Sequence, residues 1–266
     1  MTAAEPFYLT VGDAFVATPH TRGPWSDTQQ HGGPPAALIA RAMEALVARE
    51  PGAWQTARFT IDFLRPLAIG TPIHVTAELI RRGQKVLGLA GTLTDGARDL
   101  ARASALCIRQ APVDLPRGVT QPRHHLDVDA LPAHSFPFFR WPVGYHTAVD
   151  GRLGEHGSVW LRPRHPLVAD ESISPLQRVL IVADAINGVG YVLDLRRFSF
   201  VNADLTVHLH RLPAGSWVQL AATHIPQPNG VGLVDAALAD ESGSIGRALE
   251  TQVVTQLVAP IVPRSG

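Results

Sequence analysis

The chain has 266 residues, 45% of them hydrophobic and 17% charged, enough for one large domain or two small ones and too apolar to stay unfolded. Lys plus Arg and Asp plus Glu number 23 each, so formal net charge is zero and neither a nucleic-acid surface nor a solvating acidic arm is expected. The one cysteine, Cys107, can form no internal disulfide, and no CxxC or HExxH spacing suggests a metal.

The chain opens on "MTAAEPFYLTVGDAF", which lacks a basic n-region followed by a long apolar stretch, so no signal peptide is expected. No apolar run reaches the length of a membrane span, and a cytoplasmic protein follows as the expectation. Next comes "QQHGGPPAALIARAMEALVARE", residues 29–50, a helix apolar almost all the way round that starts on two glycines and two prolines. The prolines remove first-turn N–H donors that would lack intrahelical partners. The glycines admit another backbone or a ligand at close range. "FTIDFLRPLAIGTPIHVTAELIRRG", from Phe59, then alternates as two strands around a Pro–Gly turn region, and "DLARASALCI", from Asp99, adds another.

Residues 113–135 are rich in Pro and polar side chains and read as a linker, with His124 and His125 on a solvated loop. Beyond it the pattern repeats. "SISPLQRVLIVADAINGVG" predicts a second buried helix with Ser174 as N-cap and Pro175 at the first helical position. Gly188–Gly190 lie at its C-terminal end, the wrong end for a phosphate loop. "DLTVHLHRLPAGSWVQLAATHIPQP", from Asp204, and "SIGRALETQV", from Ser244, repeat the strand pattern. Gly70 with Gly215, and Arg102 with Arg247, are both 145 residues apart.

A helix apolar on nearly every face must be wrapped, not merely covered. The expected fold is therefore α+β, a double hotdog of two curved antiparallel sheets each wrapped around a central apolar helix. The expected boundaries are 1–112 for the first hotdog, 113–135 for the linker and 136–266 for the second.

Asp184 is the sharpest chemical signal, because an unpaired carboxylate buried in "VLIVADAINGV" costs several kcal/mol. Either it orients water or it belongs to an ion pair, with Arg41 of the first helix as a partner across the internal repeat. Asn202 could hold a water beside it, or simply end a strand. Strand alternation turns Asn202 away from Leu205, Val207 and Leu209, so it joins the site only if a bulge or an interface redirects it. Glu250 and Gln252 share a face of the last strand where the first copy has Ala105 and Cys107. Gly32 and Gly33 could present amides to an oxyanion, with His31 as a polar pocket lip or a surface histidine. His208 and His210 share a face but lack further metal ligands. Trp25, Trp54, Trp160 and Trp217 are assigned to packing, and no cofactor is expected.

"HGGPPAALIARAME", "FTIDFLRP" and "RRGQKVLGLAGTLTDGARDLARASA", followed by "VWLRPRHPL", "VADAINGVG" and "FVNADLTVHLHRLPAGSW", resemble the TesB-like acyl-CoA thioesterases of the thioesterase-like double-hotdog superfamily. The resemblance implies an acyl-CoA or other acyl thioester substrate hydrolysed by direct water attack, without a covalent intermediate. It places the family's water-holding Asp on Asp184, its hydroxyl position on Asn202 and its last-strand Gln on Glu250, Thr251 or Gln252. A non-catalytic acyl-CoA or small hydrophobic ligand-binding protein is the alternative on the same scaffold. A hydratase ranks last, because "ADAINGVG" carries no histidine. A monomer is feasible, and a homo-oligomer is left open by the sheet edges.

Overall fold

Residues Gly33 through Ala40 are buried without a break, the consequence of a helix start with no polar face to show to water. The structure, a computed structural model, describes residues 5–120, 123, 125–136 and 139–257; His124 lies outside them. Helix α1 (Gly33–Val47) packs on strands β4 (Pro72–Arg82), β5 (Val86–Thr94) and β6 (Asp99–Arg109). Leu38 and Ile39 are fully enclosed there, each contributing about 2 kcal/mol of apolar burial. Gly91 of β5 lets the helix come close: a Cβ there would stand 2.6 Å from Ile39 Cγ2.

Helix α3 (Pro175–Ala183) starts as its sequence predicts, with Ser174 as N-cap and Pro175 in the first turn. Ser174 Oγ accepts from Gln177 N at 3.1 Å and donates to Glu44, whose carboxylate also receives Gln177 Nε2. The start of α3 is thereby tied to the end of α1. The start of α1 meets the end of α3, where Gly33 abuts the carbonyl of Ile181 so closely that a Cβ would lie 2.2 Å from it. The two helices are therefore antiparallel neighbours. α3 also packs on β8 (Val159–Pro163), β10 (Asp204–Leu209) and β11 (Val218–Pro226).

The remaining strands are β1 (Tyr8–Val11), β2 (Ala14–Ala17), β3 (Trp54–Phe63), β7 (Val149–Leu153), β9 (Phe198–Asn202), β12 (Val231–Asp240) and β13 (Gly243–Gln256). Among the described residues the strands form one sheet in the order β1-β2-β4-β5-β6-β3-β10-β13-β12-β11-β8-β7, with β9 paired to β13. That order is a palindrome about the β3–β10 seam, where Thr206 Oγ1 donates to Thr60 Oγ1 at 3.1 Å. The spacing of 145 residues seen in the sequence is preserved in the ladders. Leu87 pairs with Cys107 and Leu89 with Ala105, while Gly232 pairs with Gln252 and Val234 with Glu250.

The central core takes in side chains from both halves, including Leu38, Ile39, Phe59, Val179, Leu180 and Val207. Val128, Trp160 and Trp217 form a smaller cluster, so the segment read as linker packs partly against the second half. Trp160 and Trp217 are packing residues as expected; Trp25 is not, being 41% exposed.

Candidate active site

Asp184 is the C-cap of α3, where the helix tightens into a 3₁₀ turn over Asp184–Gly188. A carboxylate at a helix C-terminus faces the negative end of the dipole and needs compensation. The antiparallel packing supplies it, because the same spot is the start of α1. His31 Nδ1 lies 2.8 Å from Asp184 Oδ2, and Asn202 Nδ2 donates to Oδ1 at 2.6 Å. The Gly32 N–H donates to the same carboxylate. Asp184 is 2% exposed, and burial alone would raise its pKa; the charge and hydrogen bond of His31, with the Asn202 and Gly32 donors, outweigh burial and hold the carboxyl below its ordinary value. Asp184 is thus an anion inside the core, and its pairing is with His31. Arg41, the partner considered from the sequence, instead makes a bidentate pair with Glu171 nearer the surface.

His31 is 8% exposed, not the surface histidine that the sequence allowed. Its ring lies flat on Tyr145, with centroids 3.9 Å apart and planes within 3°. Tyr145 is anchored by its hydroxyl, which donates to the Ile181 carbonyl at 2.9 Å. Tyr145 belongs to the one-turn helix α2 (Tyr145–Ala148), and nothing in its local sequence announces the stack on a residue 114 positions earlier. The Gly33 N–H points at His31 Nδ1 from 3.3 Å, but Nδ1 cannot both accept from Gly33 and donate to Asp184. The ionised carboxylate accepts the Nδ1–H, so of the two contacts at Nδ1 the one with Asp184 is the stronger.

These contacts correct the reading of the two glycines as open oxyanion donors. The Gly32 amide is already committed to Asp184, and a Cβ on Gly32 would stand 2.7 Å from Asp184 Oδ1 and 2.5 Å from Phe63 Cζ. Gly33 is a glycine because the backbone of α3 fills the place of its side chain.

Asn202 reaches the site by the bulge that strand alternation required. Thr206 of β10 stands opposite Leu249 and Asn202 of β9 opposite Gln252, so four steps on one strand span three on the other. The extra residue turns Asn202 to the side of Gln252 and Glu250. The Ala203 N–H donates to the Thr251 carbonyl, and the Thr251 N–H to Asp204 Oδ1, so both backbone groups at the bulge are used.

Glu250 and Gln252 are buried, at 0% and 4% exposure. Among the described residues, neither Glu250 oxygen nor Gln252 Nε2 has a hydrogen-bond partner. Burial, reinforced by the charges of Asp184 and Asp204, pushes the Glu250 carboxyl well above the usual carboxylate range. That shift favours the protonated form of Glu250, which can donate a hydrogen bond. Thr251, the intermediate possibility, points outward and is exposed.

His31 also borders an apolar cleft. The cleft is narrow, with a cavity volume of about 50 Å³. Trp25, Phe136, Phe139, Tyr145 and Phe200 line it with His31, and Val159 and Leu161 contribute aliphatic walls. Asp184, Asn202, Glu250 and Gln252 do not line it, and of the expected site residues only His31 does. With Nδ1 held by Asp184, Nε2 is the ring nitrogen left for a ligand. His224, unremarked in the sequence, pins the 3₁₀ turn through contacts of Nε2 with the carbonyls of Ile186 and Val189 and packs edge-on against Phe200. His208 and His210 are exposed on β10 and its end, remote in role from this cluster. Among the described residues no group of three His, Cys, Asp or Glu side chains is placed to hold a metal ion.

Comparison with known families now assigns the chain. The acyl-CoA thioesterase N-terminal domain matches residues 21–109, and the acyl-CoA thioesterase C-terminal domain matches residues 117–254. The chain belongs to the acyl-CoA thioesterase family. This thioesterase is accordingly a thioester hydrolase, and the candidate site straddles its two matched domains. Its fold is shared with the acyl-CoA thioesterase II TesB2 of Mycobacterium marinum, at 13% identity, TM-score 0.65, and 86% and 91% coverage of the two chains. The tesB protein of Mycobacterium avium subs. paratuberculosis is similar at 16% identity and TM-score 0.57, covering 94% and 96%. A protein of unknown function with a hot dog fold from Alicyclobacillus acidocaldarius is similar at 14% identity and TM-score 0.64, covering 96% of each chain. No curated protein matches the thioesterase by sequence. No helix among the described residues is long and apolar enough to cross a membrane.

Proposed function

We propose that the protein is a double-hotdog acyl-CoA thioesterase that hydrolyses its substrate by direct attack of water, with His31 and Asp184 as the water-activating pair. The observation that carries this reading is the buried contact of Asp184 with Nδ1 of His31, a residue that also lines the apolar cleft. The palindromic strand order supports the double-hotdog description, each half contributing one apolar helix and a strand set.

In this reading the acyl group enters the cleft and the thioester carbon comes to rest near His31. Nε2 accepts a proton from water as the water oxygen bonds to that carbon. Asp184 keeps the proton on Nδ1 and stabilises the imidazolium that forms. The tetrahedral intermediate then expels the sulfur, which takes the proton back from Nε2 as the thiol. The positive end of the α1 dipole opposes the developing oxyanion. Asn202 fixes Asp184. Glu250 and Gln252, whose carboxyl oxygens and Nε2 have no partner among the described residues, complete the hydrogen bonding of the pair through water.

Asp184 itself is poorly placed to attack the substrate: it is enclosed, absent from the cleft wall, and already takes three donors. The test is turnover of short, medium and long acyl-CoAs by the wild type, Asp184→Asn and His31→Gln. Turnover by the wild type and a large loss in both variants support the reading. Tight acyl-CoA binding with no hydrolysis by any form would favour the ligand-binding alternative and refute the hydrolase.

A further inference from the structure

Resting on the thioesterase reading, we propose that the acyl group this protein selects carries an aromatic ring one or two carbons from the thioester carbonyl. Much of the cleft wall is made of rings, in two groups. In one group His31 and Tyr145 stack face to face, and Phe139 lies near-parallel to Tyr145 with centroids 6.2 Å apart. Phe136 meets Phe139 edge to face at 6.0 Å. In the other group Trp25 and Phe200 form a T-shaped pair at 5.8 Å, and His224 meets Phe200 edge-on.

A planar ring entering this space finds both ring faces and ring edges to contact. Each favourable ring contact is worth roughly two- to tenfold in affinity beyond its buried area. A methylene chain gains only the area. The cleft is also narrow, which suits a thin, flat group, and Val159 and Leu161 add apolar wall.

The spacer length follows from the position of the base. His31 is itself a member of the ring wall, 3.9 Å from Tyr145. A carbonyl carbon near Nε2 thus lies beside the ring-binding surface, not at the far end of a tunnel. A ring displaced by a long alkyl spacer would pass beyond these walls.

The test compares phenylacetyl-CoA with octanoyl-CoA, which have equal numbers of acyl carbons. The expected result is a kcat/KM about tenfold higher for phenylacetyl-CoA. That ratio should fall toward one in Trp25→Leu and Phe139→Leu, with thermal melts confirming that both variants fold. Trp25 is 41% exposed, so its replacement leaves the core intact. Equal or faster turnover of octanoyl-CoA overturns the proposal, as does a ratio that neither substitution moves. Calorimetry with free phenylacetate and octanoate runs in parallel on the wild type. If neither thioester is hydrolysed, the hydrolase reading fails, and the two acids decide the specificity separately. Phenylacetate binding about tenfold tighter supports the ring site, and equal or tighter octanoate binding overturns it.

Discussion

The two halves put opposite chemistry at matched places. Across β5 and β6, Leu87 faces Cys107 and Leu89 faces Ala105. Across β12 and β13, Gly232 faces Gln252 and Val234 faces Glu250. A large apolar residue beside a small one has become a glycine beside a long amide. The reason is steric as well as chemical: a Cβ on Gly232 would stand 3.3 Å from Gln252 Oε1. The neighbouring position repeats the theme. Thr56, opposite Cys107 beside a bulge in the first half, contacts the thiol, whereas Asn202, opposite Gln252 beside the bulge in the second, holds Asp184. On one backbone plan, β5 and β6 bury apolar side chains where β12 and β13 bury polar ones.

The largest effect expected from breaking that difference is on the reaction. Asp184→Asn keeps the shape but leaves His31 Nδ1 without its anion. A loss of about 1,000-fold in kcat is expected, read by steady-state kinetics, with the melting temperature showing that the fold survives. A loss under tenfold would return Asp184 to a purely structural role.

Giving the first copy the acid of the second is the next test. Ala105→Glu buries a carboxyl with no room prepared for it, and a stability loss of about 3 kcal/mol is expected in a urea titration. If the variant is as stable as the wild type, the halves are less different than their packing implies.

Gly33→Ala separates helix contact from chemistry. The new methyl would collide with the Ile181 carbonyl, a rigid backbone atom, and should cost about 2 kcal/mol of stability. An unchanged melting temperature would show that α1 and α3 can move apart at that point.

The smallest effect is a change in pH dependence. The folded-state pKa of Glu250 is raised by burial and by the charges of Asp184 and Asp204. As pH rises, the unfolded chain releases this proton first, so Glu250 lowers stability progressively from its unfolded value up to its folded value. Glu250→Gln removes that penalty. Its melting temperature should exceed the wild type's at about pH 8 and match it near about pH 4, by differential scanning calorimetry. Asp184 has the opposite sign: its folded pKa is depressed, so its contribution is present above the unfolded value and is lost as pH falls through the folded one.

The repeat and both helix starts were legible in the sequence, because periodicity and capping are local signals. Ser174, Pro175 and the buried run from Gly33 to Ala40 are examples. So was the need to compensate Asp184, since a carboxylate in an apolar run is conspicuous. Its partner was not legible. His31 lies 153 residues away, and only the antiparallel contact of α1 with α3 joins them. The same geometry sent Arg41 to Glu171, because the middle of α1 does not face the end of α3. Asn202 needed a bulge that its own strand does not signal, and Trp25 looked like a packing residue because the cleft it lines comes from distant segments.

The account rests on His31 and Asp184 acting as one unit on water. A double-mutant cycle in kcat/KM with the preferred acyl-CoA tests this most directly, using His31→Gln, Asp184→Asn and the pair together. The predicted result is that the double variant is no slower than the slower single variant. Losses that simply multiply would show two independent contributions and contradict the pairing.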